Sequence, residues 1–207
     1  SEDNEYDVGI FDFKEIKRTR GVLLCDKNST VTSNMSGAYD TIVLNRFPIN
    51  DPAYGHDRLW EMLAKKSPND LEKRIISAVS WVGKGLRDDE PARAFVQYVF
   101  ALEALLQFQQ KDSLVSPSIT YQIAEMSALF LGGDLENRKK IEKIAKDVYG
   151  KRSAIAHGGT HDVDQLLIKD AIWLIKSLIT TIITDDELKD LSSIQKVGEW
   201  VREQKYS

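Results

Sequence analysis

Leu166-Leu167-Ile168-Lys169-Asp170-Ala171-Ile172-Trp173-Leu174-Ile175-Lys176-Ser177-Leu178-Ile179-Thr180-Thr181-Ile182 sets apolar side chains nearly all round a helical wheel. A helix from about Val163 to Thr184 with so little polar surface belongs at the centre of a bundle or in a subunit contact. The flanking sequence supplies faces to cover it. Ser67-Pro68 reads as a helix start, followed by a stripe of Leu71, Ile75, Val79, Val82 and Leu86. Phe95, Val99, Leu102 and Leu106 repeat the same period in a second helix. Ser116-Pro117 opens a third, with Ile119, Ile123, Met126 and Phe130 on one side and Gly132-Gly133 to end it. Asp134 is placed to cap the next, whose face holds Ile141, Ile144, Ala145 and Val148. A more polar, amphipathic helix is expected over about Asp186–Gln204. Residues 56–207 are therefore expected to form a mostly α, helical-bundle domain.

Residues 1–55 differ. They lack a helical period and contain two β-like runs, Gly21-Val22-Leu23-Leu24-Cys25 and Tyr39-Asp40-Thr41-Ile42-Val43-Leu44, separated by the polar stretch Asp26–Ser36. This part reads as an irregular extension with a short hairpin, or as the end of an upstream domain. The first residue is Ser and not Met, so a piece of a longer protein is expected.

Composition narrows the function. Of 207 residues, 42% are hydrophobic and 29% charged, with a formal net charge of -4, which is ordinary for a globular domain. Such a surface does not coat nucleic acid nonspecifically, so any RNA contact has to be local, made by a few cations in a cleft. Cys25 is the sole cysteine, which leaves no internal disulfide and no thiolate zinc cluster and suits a reducing, cytoplasmic setting. His157 and His161 stand four apart, but no glutamate lies between them in a metalloprotease-like register, so neither metal nor cofactor is expected. The longest apolar run is broken by Lys176, Ser and Thr; it falls short of the ~20 residues of a membrane span.

Tyr149-Gly150-Lys151-Arg152-Ser153-Ala154-Ile155-Ala156-His157-Gly158-Gly159 carries the chemistry. An imidazole takes or gives a proton near neutral pH, and a guanidinium presents a planar fork to phosphate oxygens. Together they meet the needs of RNA phosphodiester cleavage: a proton shuttle, and a cation for the crowded phosphorane. Geometry sets a condition. On an unbroken helix, residues five apart point about 140° away from each other. Arg152 and His157 converge only if the helix ends or kinks between them, or if a second copy brings its own motif. Gly158-Gly159 fits a helix end after His157. A plainer account also exists, because the helix dipole alone favours a histidine in a last turn and most helical arginines are solvated.

Three segments, in order, tip that balance: Arg74-Ile75-Ile76-Ser77-Ala78-Val79-Ser80-Trp81, then Phe95-Val96-Gln97-Tyr98-Val99-Phe100-Ala101-Leu102-Glu103-Ala104-Leu105-Leu106, then Tyr149 to Gly158. They resemble the first core helix, the ALE-x-LL helix and the Y-x-x-R-S-x-x-x-H-G signature of the HEPN superfamily, in its ApeA-like, antiphage branch. The resemblance covers about Leu71 to Ile183 and leaves residues 1–55 outside.

The resemblance implies a HEPN-type bundle that forms a homodimer, with both Arg-x4-His motifs facing one cleft. It implies a metal-independent endoribonuclease, acting as a toxin or abortive-infection effector in antiphage defence, joined to an upstream sensor. Arg152 would hold the scissile phosphate and His157 would move protons. Ser153 would bond the phosphate or orient the arginine, and Glu103 would position the Arg–His pair. For Glu103 a structural ion pair is the competing role. Tyr149 reads first as core packing and second as a base-stacking platform, and Lys151 as a solvated charge within reach of phosphate. One departure stands out: where a related branch has a modifiable tyrosine two residues after the histidine, this chain has Gly159. The alternatives are a noncatalytic HEPN module for nucleotide or RNA binding or for dimerisation, and a purely structural helical interaction domain whose Arg152 and His157 are coincidental.

Overall fold

A computed structural model describes residues 52–108, 118–156 and 162–205. The β-like runs of the N-terminal part, Cys25, Ser116-Pro117 and residues 157–161, which include His157, His161 and the glycine pair, lie outside the described residues. Every described residue belongs to one compact unit, Asn50–Ser207.

That unit is helical. A 3-10 turn at Pro52–Tyr54 is followed by α1 (His56–Ala64), α2 (Asp70–Leu86), α3 (Pro91–Leu106), α4 (Ile119–Leu131), α5 (Leu135–Ala156), α6 (Gln165–Thr184) and α7 (Ile194–Gln204). No strand occurs among the described residues. Two helical hairpins, α2–α3 and α4–α5, make up most of the packing, and α6 touches all four of their helices. Ala171, Leu174, Ile175, Leu178 and Ile182 of α6 are buried at the centre of the core, as the nearly all-apolar wheel requires. Phe95, Val99, Leu102 and Leu106 of α3 are wholly buried against it. α6 is not covered everywhere: Leu166 and Trp173 remain exposed.

The 3-10 turn packs on α6, which is why the helical unit starts slightly ahead of residue 56. Gly55 makes this possible. Its φ is +67°, and a Cβ there would come within 2.5 Å of Ile183 Cδ1, so only glycine joins the turn to α1 this closely.

Two boundaries depart from the sequence pattern, both because short polar side chains bond locally to the backbone. α2 begins at Asp70 and not at Ser67-Pro68. The Asn69 side chain accepts from the Glu72 N–H at 2.9 Å, and the Glu72 carboxylate accepts from the Asn69 N–H at 2.8 Å, a reciprocal capping box. The last helix begins at Ile194 and not near Asp186. The Asp185 carboxylate accepts from the Glu187 N–H, opening a run of turns, and Ser193 then caps α7 through the Lys196 N–H. α7 is fixed to the body where the Asp70 carboxylate accepts from the Ile194 N–H at 2.9 Å, and where Trp200 stacks on Phe130 of α4.

Candidate functional site

α3 and α5 lie side by side, and their facing turns bring together three of the residues singled out in the sequence. Glu103 sits in the last turn of α3. That turn is held from α2: the Arg74 guanidinium donates to the carbonyls of Ala104 (3.2 Å) and Gln107 (2.8 Å). A cation there satisfies carbonyls that the ending helix leaves without partners. Across the gap, Tyr149 and Arg152 stand three residues apart on α5 and share one face of it.

Both reach the same carboxylate oxygen. The Tyr149 hydroxyl donates to Glu103 Oε1 at 2.9 Å, and Arg152 Nη2 lies 3.4 Å from that atom. Tyr149 is buried. Burial first, and then the hydrogen bond and charge of Glu103, push its hydroxyl up to about 12, with Arg152 acting in the opposite sense. The proton therefore stays on the phenol at neutral pH, and Tyr149 is a fixed donor.

The Arg152 side chain is 29% exposed and that of Glu103 16%. The guanidinium carbon lies 5.7 Å from the centre of the Phe100 ring and 5.9 Å from that of Tyr149, within the range of cation–π attraction. Its Nε is buried and bonds to nothing among the described residues. Arg152 is thus aimed by one carboxylate and two ring faces while part of its fork still meets solvent. Such a group is preorganised for an oxyanion: holding it in place costs nothing further when the anion arrives.

The remaining site residues are placed as follows. Ser153 and Lys151 are half-buried on the same turn of α5, and no bond joins the Ser153 hydroxyl to Arg152 among the described residues. His157 lies outside the described residues. The helix is continuous from Arg152 through Ala156, so the break that the sequence geometry calls for does not fall within that span. Tyr149 combines the core packing read from the sequence with a polar role that the sequence did not suggest. Among the described residues, no group of three or more His, Cys, Asp or Glu is placed to hold a metal ion. No helix among them is long and apolar enough to cross a membrane.

Phe100 was missed. It stands three residues before Glu103, so the two share a face of α3, and that spacing was available in the sequence. Trp81 was missed as well: its ring meets Phe100 edge to face at 5.1 Å, a contact between helices that no local spacing reveals.

The chain matches no protein-family profile and no solved structure. It is similar to a protein named as a chaperone protein HscA homolog from Aeromonas hydrophila subsp. hydrophila. The two are 30% identical over 130 residues, covering 58% of this chain and 21% of that protein. The chain thus spans about a fifth of the length of that curated relative.

Proposed function

We propose that this chain is a metal-independent endoribonuclease domain that cuts RNA with Arg152 and His157, gathered from two copies, and that it serves as an effector in antiphage defence. The observation that carries this reading is the state of Arg152. It is held by Glu103, backed by two aromatic rings and left part-exposed, at the position where the HEPN-like motif requires its phosphate-binding cation. In the proposed reaction the substrate's own 2′-hydroxyl attacks the adjacent phosphorus, and His157 accepts its proton. The 5′-oxygen leaves with a proton, and a 2′,3′-cyclic phosphate remains. Arg152 balances the charge that builds on the phosphoryl oxygens. Two histidines, one from each copy, divide the base and acid roles. RNA and a second copy of the chain are the partners this reading requires, and a cytoplasmic location is where they meet.

The Arg152–Glu103 pair also favours a second reading. A part-buried ion pair is a common structural link between helices, and in a noncatalytic binding or dimerisation module it would do no more than join α3 to α5.

Cleavage of a labelled RNA in excess EDTA separates the two. The endoribonuclease reading expects the wild-type chain to cut RNA, to spare the 2′-deoxy strand of the same sequence, and to lose at least about a hundredfold of its rate in either Arg152→Ala or His157→Ala. Activity that vanishes with the chelator, or that survives in both variants, would sink it.

A further inference from the structure

The surface next to Arg152 continues as a row of rings and cations. Phe100 lies under the guanidinium. Trp81 of α2 meets Phe100 edge to face, with ring centres 5.1 Å apart. Lys84, one turn further along α2, carries its ammonium 4.0 Å from the centre of the Trp81 ring. Trp81 and Phe100 are half-buried and Lys84 is exposed, so the row opens to solvent. Among the described residues Lys84 pairs with no carboxylate; the nearby Asp88 is taken up by Arg93 and Gln97. The one carboxylate in the row, Glu103, is offset by Arg152 and by the Tyr149 hydroxyl. The row therefore presents two cations, one at each end, with aromatic surface between them.

We infer that Trp81, Phe100 and Lys84 form a nucleotide-binding subsite beside Arg152, in which a base of single-stranded RNA stacks on Trp81 while Lys84 and Arg152 take phosphates on either side. This rests on the endoribonuclease reading of Arg152 and adds to it a place for the strand next to the cut. A flanking phosphate and a flat base are what a cation–ring–cation row complements. Lys84 now lies across the indole. A cation–π contact made by an exposed lysine is weaker than base stacking, so an incoming base displaces the ammonium, and the freed charge moves onto the phosphate. Discrimination against duplex follows, because a paired base has no free face to offer.

The test measures binding without cleavage. Fluorescence anisotropy of the full chain with a labelled, mixed-sequence 2′-O-methyl oligonucleotide, which cannot be cut, reads affinity alone. Trp81→Ala is expected to weaken binding about tenfold or more and Trp81→Tyr to keep most of it. Lys84→Glu is expected to weaken binding and to flatten its dependence on salt. Trp60→Ala, which removes an exposed indole of α1, is expected to change nothing. Circular dichroism of each variant confirms that the fold is kept, and Lys84→Glu stands in if Trp81→Ala fails to fold. The subsite is overturned if the wild-type chain does not bind the oligonucleotide, or if Trp81→Ala and Lys84→Glu bind as the wild type does. It is equally overturned if Trp81→Ala alters only the mass of the chain in solution, which would make this face a contact between copies. Failure of the nuclease reading looks different: the oligonucleotide is bound through Trp81 and Lys84, yet ordinary RNA is never cut.

Discussion

Tyr149 shows how much one proton can organise. Its hydroxyl donates to the carboxylate oxygen that also faces Arg152, and burial beside that carboxylate raises its proton affinity to about 12. In the unfolded chain the phenol titrates near ~10. Between those values the folded protein keeps a proton that the unfolded chain gives up, so the stability from this group is complete below pH ~10 and fades as pH rises toward ~12. Tyr149→Phe keeps the ring beside Arg152 and removes only the hydroxyl. It is expected to cost about 1 kcal/mol at neutral pH, and that difference from the wild type should shrink above pH ~10. Urea midpoints at about pH 7 and about pH 11 measure it; a gap that widens with pH would contradict the assignment. Glu103→Gln probes the other partner. It keeps the shape of the carboxyl group and removes its charge, so Arg152 loses its tether. The expected result is at least about a tenfold drop in RNA cleavage with helicity unchanged, whereas a purely structural pair would lose stability alone. The ion pair of Arg152 with Glu103 was legible at this scale because both residues fall within short motif-like runs. The hydroxyl of Tyr149 was not, because period and spacing place it on an apolar face and do not reveal which atom faces it from α3.

Helices and their ends follow local rules, and most of them could be read. The apolar stripes of α2, α3, α4 and α6 bury most of the residues that their period selects; Val79 and Ile119 are half-buried, and Leu166 and Trp173 are exposed. Leu86 is exposed too, at the very end of α2, where the stripe has run past its partner. The sequence pattern places the start of α2 about three residues early and that of α7 about eight, in each case because an Asx or Ser side chain offers the backbone a nearer bond. Close approach between helices leaves no such trace. Gly85 of α2 is buried, and a Cβ there would run into the ring of Tyr98 on α3. Nothing in the period of α2 marks it, since glycine simply interrupts the pattern. Gly85→Ala is expected to destabilise the fold by about 1–3 kcal/mol through overpacking, visible as a lower urea midpoint with an unchanged slope. Because α2–α3 is the hairpin that carries Trp81, Phe100 and Glu103, the same substitution should also disturb the proposed RNA binding. Unchanged stability would show that the two helices do not pack this closely in solution.

At the scale of the whole molecule, a net charge of -4 leaves little long-range attraction for a polyanion, so the proposed affinity for RNA would have to come from a few placed cations. In the proposed subsite these are Arg152 and Lys84, with aromatic rings between them. The helical class was legible because a nearly all-apolar helix has few options besides the centre of a bundle, and α6 takes that position. Assembly was not legible from packing: a chain records its own core more plainly than the symmetry of its contacts. The exposed Leu166 and Trp173 of α6 show that not all of its apolar surface is used within one chain. The proposed function depends on two copies pooling their Arg152 and His157 groups. The direct measurement is RNA cleavage by an equimolar mixture of the Arg152→Ala and His157→Ala chains, unfolded and refolded together, against each chain alone. A shared site predicts that the mixture regains a substantial fraction of wild-type cleavage while each variant alone stays inactive. A mixture that forms mixed dimers and remains as inactive as its components would contradict the account.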